Sequence, residues 1–250
     1  MQRREFNQLL NTLLKPETIN DFCPNGLQVE GKDEIRTIVT GVTASQALID
    51  AAIEKNADAI LVHHGYFWKG ESQPITGMKK RRVAALLAND INLFAYHLPL
   101  DIHPEIGNNA QLAQLLDIEI EAGLEPINNS VAMKGRLKTP ITGCEFAKKI
   151  GQVLNREPLT SLVRNDKIET IALCTGGGQG YIDLAAEQGL DAYLTGEASE
   201  QTIHSSREQN IDFFAAGHHA TERYGIKALG EYLAKLHGFD VTFIDIDNPV

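Results

Sequence analysis

Six of the eight histidines fall in three tight groups, and each group follows a short apolar run. The groups are His63–His64, His97 with His103, and His218–His219. Short apolar runs predict buried strands, and ligand sites of open α/β sheets collect beyond the carboxyl ends of their strands. We therefore treat these groups as candidates for one functional site, apart from His103, which we interpret as a surface residue.

Carboxylates accompany two of these groups. Glu222 lies four residues after His218, so both side chains project from one face if a helix begins there. Asp101 follows His97 in HLPLD, and a tight turn would swing its carboxylate back to the strand end. Imidazole with carboxylate and no thiolate is a ligand set for Zn, Mn, Fe, Co or Ni. A lone strand-end histidine is more often structural, and it is the combination that favours a metal.

The candidate metal ligands are His63, His64, Asp101, His218 and Glu222. Five ligands exceed what one catalytic zinc takes from a protein. They suit two neighbouring divalent ions, which can activate water at neutral pH and polarise the bond to be cleaved. We expect His97 and His219 to lie next to these ligands without binding the metal themselves.

Apolar runs alternate with helical patterns along the chain, which predicts an α/β architecture. Most runs are continuous, as in strands covered on both faces. The predicted strands are Thr37–Gly41, Asp58–His63, Asn92–His97, Thr170–Cys174, Ala192–Thr195, Asp212–Ala216 and Val241–Ile246. The predicted helices are Ser45–Lys55, Lys79–Asn89, Asn108–Asp117, Cys144–Leu154, Gly180–Gln188, Ser199–Glu208 and Glu222–Leu236.

Residues 38–64 and 171–197 agree at a fixed offset of 133, with nine identical positions and no gap. Each copy has the length of one strand–helix–strand unit. We interpret the repeat as an internal duplication that gives two related α/β domains with mixed or parallel sheets. The predicted domains are residues 1–125 and 143–250, joined by a linker at 126–142, and the C-terminal helix and strand are free to pack on either domain.

The offset aligns His64 with Glu197. Glu197 is therefore a candidate for substrate contact or proton transfer, with a helix-capping carboxylate as the alternative. The Gly176–Gly178 run would cradle a phosphate or simply form a tight turn. The aromatic loop Gly65–Gly77, which contains Trp68, would stack on a base, cover a site or anchor a subunit contact.

The net charge of −10 over 250 residues counts against broad nucleic-acid binding. The basic run Lys79–Arg82 would meet phosphate or line a pore, although such runs more often begin a solvated helix. Three widely spaced cysteines without a CxxC pair predict a reducing, cytoplasmic compartment. No segment reaches about 18 consecutive apolar residues, so we expect no contact with the membrane interior.

Eight segments resemble, in order along the chain, the Nif-three-like family, whose bacterial members are often labelled GTP cyclohydrolase type 2 homologues. The segments are PNGLQVEG (24–31), GVTAS (41–45), VHHGYFWKG (62–70), HLPLD (97–101), GNNAQLA (107–113), CTGGGQG (174–180), TGE (195–197) and GHHATE (217–222). The resemblance covers essentially the whole chain and is to the short bacterial form.

This resemblance implies two interlinked α/β domains, a dinuclear metal site between them and a ring-shaped homohexamer. It assigns the metal to the same five residues and implies that Glu222 bridges the ions. We therefore expect a metal-dependent hydrolase with two divalent ions per chain (Fe, Zn, Mn, Ni or Co), acting on a nucleotide-like or phosphorylated small molecule. The alternative is a non-catalytic metal-binding ring with a binding or regulatory role, and nucleic acid is a less favoured partner.

Overall fold

The computed structural model describes residues 1–250, which divide into two compact units. Unit 1 comprises Met1–Gly107 and Gly225–Asp247, and unit 2 comprises Asn108–Tyr224 and Asn248–Val250. Each unit contains one sheet with helices packed on it. None of the helices combines the length and the apolar character that a membrane crossing requires.

Unit 1 is built around a five-stranded sheet with the order β1-β4-β3-β2-β11. Its elements are α1 Arg3–Leu14, β1 Gly26–Val29, β2 Thr37–Thr43, α2 Gln46–Glu54, β3 Ala59–His64, α3 Gly77–Ala88, β4 Asn92–Ala95, α4 Leu98–Ile102, the part of α9 (His218–His237) from Gly225 onward, and β11 Asp240–Phe243. Only β1 runs antiparallel to its neighbour. Helices α1 and α9 cover one face of the sheet and pack on residues such as Ile38 and Leu61. Helices α2 and α3 cover the other face and pack on residues such as Val39 and Ile60. Both faces of the sheet are therefore covered.

Unit 2 is built around a six-stranded sheet with the order β5-β6-β8-β9-β10-β7. Its elements are α5 Asn108–Leu115, β5 Ile118–Gly123, β6 Met133–Ile141, α6 Gly143–Leu154, β7 Leu159–Ser161, β8 Ile168–Cys174, α7 Ile182–Glu187, β9 Ala192–Thr195, α8 Glu200–Gln209, β10 Asp212–Ala215 and the first turns of α9. The pairs β8–β9 and β9–β10 are parallel, and the other pairs are antiparallel. Both sheets are therefore mixed, which confirms the predicted fold class.

The repeat seen in the sequence is also a repeat of strand register. In the parallel pair β2–β3, Ile38 lies opposite Ala59. In the parallel pair β8–β9, Ile171 lies opposite Ala192. Both residues of the second pair are shifted by 133 from the first, so the two copies have the same strand pairing.

A partly buried carboxylate recurs at the same place in both copies. Asp58 accepts hydrogen bonds from the backbone N–H groups of Arg36 and Thr37. Asp191, at the equivalent position, accepts them from the N–H groups of residues 169–170. Each aspartate thus ties the start of one strand to the turn before the next.

The structure differs from the predicted domain boundaries. The proposed linker, residues 126–142, contains β6, which pairs with β5 on one side and β8 on the other. In β6, Gly135 and Leu137 are buried while Arg136 and Lys138 are exposed, so its apolar residues alternate and form no continuous run. Unit 2 accordingly begins at Asn108, and β11 with most of α9 belongs to unit 1.

Candidate metal centre

In unit 1, parallel strands bring His63 and Asp101 together. The β3 segment AILVHH is buried and ends at His63–His64. The neighbouring strand β4 leads into α4, a single helical turn that carries Asp101. The His63 Nε2 atom lies 3.5 Å from the Asp101 Oδ1 atom, and both side chains are almost completely buried. The short helix takes the place of the tight turn that the sequence predicts.

The Nδ1 atoms of both histidines have partners within unit 1. His63 Nδ1 donates to the backbone carbonyl of Tyr96 at 3.1 Å. His64 Nδ1 lies 3.2 Å from the hydroxyl oxygen of Thr43, the residue opposite it on β2. Since Nδ1 is engaged in each ring, a metal would be bound through Nε2.

A third imidazole, His97, lies beside these two. Its ring centroid is 5.1 Å from that of His63 and 5.8 Å from that of His64. Nitrogen atoms of the three rings lie within 4.8 Å of one another, a spacing that could accommodate a metal ion. The Trp68 ring packs edge-on against His97, with centroids 4.9 Å apart.

Asp21 fixes the orientation of His97. Its Oδ1 atom accepts a hydrogen bond from His97 Nδ1 at 2.7 Å, and its Oδ2 atom accepts bonds from the Leu98 N–H and the Asn25 amide. Burial raises the pKa of Asp21, but the bonds from His97 and Asn25 outweigh it and hold that pKa below 3.8. The carboxylate therefore stays charged and holds the imidazole in place.

The aromatic loop has a fixed shape. Phe67 adopts a left-handed backbone conformation with φ of 66°, which is uncommon for an aromatic residue. The backbone N–H of Trp68 donates to the Glu71 carboxylate, and Lys79 pairs with Glu71 at 3.2 Å. The Lys79 ammonium also lies over the Phe67 ring, 4.8 Å from its centroid. The first residue of the basic run Lys79–Arg82 therefore stabilises this loop.

In unit 2, one helical turn carries His218 and Glu222. Helix α9 begins at His218, so the i and i+4 side chains share one face as predicted. The His218 Nε2 atom lies 3.3 Å from the Glu222 Oε2 atom, and the Glu222 side chain is only 3% exposed. His219 is buried beside them, and its backbone N–H donates to the carbonyl of Val250 at 2.9 Å.

Glu197 contacts the other edge of the His218 ring. Its Oε1 atom accepts a hydrogen bond from His218 Nδ1 at 2.6 Å. Burial lowers the pKa of His218, but the carboxylates of Glu222 and Glu197 outweigh burial and raise it to about 9. The capping alternative for Glu197 has no support, because Ser199 is the N-cap of α8. Contact of Glu197 with substrate, or proton transfer by it, stays a prediction.

The glycine run makes room for the Glu222 carboxylate. Gly176 has φ of +65°, and a Cβ atom there would collide with Glu222 and press on the His218 ring. The Gly176 N–H donates to the Thr221 hydroxyl at 3.0 Å, which ties the turn to α9. A residue with a side chain fits neither the backbone angle nor the space.

The donors in each unit fit a divalent ion. The nitrogen–oxygen separations of 3.3 and 3.5 Å are longer than normal for a charge-assisted hydrogen bond. Two atoms that each lie about 2.0–2.2 Å from one tetrahedral ion are about 3.4 Å apart. Imidazole and carboxylate are also the donors that first-row divalent metals prefer.

Comparison with known proteins gives the family. The profile of Duf34/NIF3 (NGG1p interacting factor 3) matches residues 1–249. The chain belongs to the DUF34/NIF3 family. A Haemophilus influenzae DUF34/NIF3 relative, named GTP cyclohydrolase 1 type 2 homolog, is 66% identical over 250 residues, which is the whole of both chains. A Vibrio cholerae relative of the same name is 65% identical, again over the full length of both chains.

Solved structures have the same fold. The protein ybgI, described as of unknown function, superposes with a TM-score of 0.97 at 55% identity over the whole of both chains. TTHA1606 from Thermus thermophilus superposes with a TM-score of 0.90 at 33% identity, also over both whole chains. The family that the sequence motifs indicate is therefore confirmed.

Three residues of the site escaped sequence reasoning as contributors. Asp21 and Thr43 orient imidazoles that lie 76 and 21 positions away, and no local pattern connects them. Gly176 lies in the glycine run noted in the sequence, but a glycine is required there because α9 places the Glu222 carboxylate beside it. The glycine run is visible in the sequence, whereas its proximity to the Glu222 carboxylate is not.

Proposed function

We propose that this DUF34/NIF3 protein is a hydrolase that depends on a dinuclear metal centre and acts on a nucleotide-like or other phosphorylated small molecule. The observation that carries the proposal is the repeated donor arrangement. In each unit an imidazole Nε2 atom lies 3.3–3.5 Å from a carboxylate oxygen, while the Nδ1 atom of the same ring is bound by the protein. The names of the bacterial relatives agree with a hydrolytic role.

The residues that would hold the two ions are His63, His64, Asp101, His218 and Glu222. When bound, such a pair supplies Lewis acidity and lowers the pKa of water. We propose, as the family resemblance implies, that these five residues would together supply the ligands of the two ions. The free cysteines, of which two are buried, fit the reducing cytoplasm that we propose as its compartment.

Residues of unit 1 provide a surface for a planar substrate group. The Trp68 ring lies against His97 and within 5.9 Å of the His64 ring, centroid to centroid. The loop is held by Glu71 and Lys79 before any ligand arrives, so little order has to be created on binding. We propose that Trp68 contacts the ring of the substrate, while Asp21 keeps His97 directed toward it.

Turnover of a panel of nucleotides and phosphoesters, with Mn, Fe, Ni or Zn supplied, tests the hydrolase proposal. We expect turnover that depends on the metal and falls at least a hundredfold in Asp101→Ala. Asp166→Ala, at an exposed site outside both groups, is the matched control and should retain full activity. Tight binding of panel members without turnover would contradict the hydrolase and favour the non-catalytic metal-binding ring.

A further inference from the structure

Glu197 and His218 form a carboxylate–imidazole pair joined by an unusually short hydrogen bond. Their Oε1 and Nδ1 atoms are 2.6 Å apart, shorter than a typical N–H···O contact. The carboxylate can only accept, so His218 Nδ1 carries the proton. The ring is thereby directed so that Nε2 faces Glu222.

His218 differs in this respect from the other two candidate imidazoles. His63 donates to a backbone carbonyl, and His64 meets a hydroxyl group. Both of those partners are neutral, whereas the partner of His218 is a carboxylate. A charged acceptor at Nδ1 makes Nε2 a stronger donor to a metal than a neutral one does.

The backbone builds this pair at the ends of two parallel strands. Glu197 and His218 follow β9 and β10 by two and three residues. The residues just before them are joined directly, since the Gly217 N–H donates to the Gly196 carbonyl at 2.9 Å. The Gly196 N–H in turn donates to the Gly176 carbonyl at 2.9 Å. The loops that carry the two side chains are therefore joined to each other by backbone hydrogen bonds.

We propose that Glu197 is a positioning residue of the metal centre: it holds His218 in the tautomer protonated at Nδ1 and strengthens Nε2 as a metal ligand. This role rests on the proposed metal-dependent function. It does not require Glu197 to touch substrate. Partners of this kind typically change metal affinity about 10- to 100-fold when they are removed.

Competition with a chelator, with Co²⁺ as the probe metal, tests the role of Glu197 in the full-length protein. We expect Glu197→Ala to weaken Co²⁺ retention about 10- to 100-fold. Glu197→Gln keeps an oxygen acceptor of the same shape and should recover part of that loss. Glu200→Ala, at an exposed position three residues further on, should bind Co²⁺ as the wild type does. Thermal unfolding of each variant identifies any that fails to fold.

Nitrogen-15 NMR of the His218 ring provides a second measurement, whose result would not change on mutation if Glu197 had only a structural role. Measured on metal-free protein above pH 9, where the ring is neutral, His218 should be protonated at Nδ1 in the wild type and in Glu197→Gln, and should exchange between tautomers in Glu197→Ala. Co²⁺ affinity of Glu197→Ala within twofold of wild type, or Nδ1 unprotonated in the wild type, would overturn the positioning role. If the wild type itself retains no Co²⁺, the proposed metal-dependent function is wrong. If the wild type and Glu197→Ala retain Co²⁺ equally well, only the positioning role is wrong.

Discussion

At the scale of single residues, the candidate ligands compete with protons. The pKa of His218 is raised to about 9 without metal because, although burial lowers it, Glu222 and Glu197 raise it more. His218 is then protonated at pH 7.5, and a metal must displace that proton. For the metal-free protein, the contribution of the charged ring to stability is complete below about pH 6.5 and is lost as pH rises through 9.

We therefore predict that metal uptake at pH 7.5 releases a proton from His218, and that metal affinity increases between pH 7 and 9. Calorimetric titration in buffers with different ionisation enthalpies measures the number of protons released. His218→Ala should release fewer protons than His204→Ala, whose imidazole is exposed. Equal proton release by these two variants would contradict the assignment.

A second prediction concerns Gly176. In Gly176→Ala the new methyl group would collide with the Glu222 carboxylate, and the left-handed φ would cost about 1–2 kcal/mol. Gly189→Ala has the same backbone cost, with φ of +73°, but no atom lies within 4 Å of the new Cβ. Both variants should unfold at lower temperature, and only Gly176→Ala should lose metal. Equal metal content in the two variants would refute the steric argument.

Residue type and spacing were sufficient to nominate both ligand groups. His218 and Glu222 share a helical turn, and a strand end followed by one turn brings Asp101 to His63. The residues that orient the imidazoles could not be predicted from the sequence, because the 2.7 Å contact of Asp21 with His97 joins residues from separate parts of the chain. Local patterns carry no information on such pairs.

At the scale of elements, the duplicated aspartates give a matched pair of variants. Burial raises the pKa of Asp58, but bonds from Lys32 and from two backbone N–H groups outweigh it and bring the pKa below 3.8. The pKa of Asp191 is lowered in the same way: burial raises it, and bonds from residues 169–170 together with Arg164 prevail. Their stabilisation is present above the ordinary pKa of 3.8 and is lost as the pH falls through the lowered value.

We predict that Asp58→Ala and Asp191→Ala each reduce the free energy of unfolding by about 1–3 kcal/mol at pH 7, because backbone donors lose their acceptor. The difference from the wild type should shrink as the pH falls below 3.8. Urea denaturation at several pH values measures it, with Asp166→Ala as the exposed control. A loss that does not depend on pH, or a loss in only one of the two variants, would argue against equivalent roles.

The middle strands and the edge strand β11 were predictable from the sequence, whereas β1, β5, β6 and β7 were not. Strands β3 and β9 are buried along almost their whole length, so they read as continuous apolar runs. The edge strand β5 is exposed from Glu119 to Ala122, and β6 alternates buried and exposed residues. Polar strands of this kind resemble a linker in sequence, and only their pairing shows that they belong to the sheet.

At the scale of the whole molecule, we predict that the protein forms the homohexameric ring that its family resemblance implies. Light scattering of the purified protein should then give six times the chain mass of 27.5 kDa. A stable mass of one or two chains at micromolar concentration would contradict this assembly. The measurement does not depend on the metal proposal, since metal-free protein is tested alongside.

The metal content of the purified, metal-loaded protein tests the central claim most directly. Elemental analysis should find two divalent ions per wild-type chain. It should find about one ion in Asp101→Ala, and almost none in Glu222→Ala if Glu222 bridges the pair. Glu231→Gln, at an exposed position of the same helix, should retain two. Fewer than one ion per wild-type chain, or a content unchanged in both ligand variants, would contradict a dinuclear centre built from these residues.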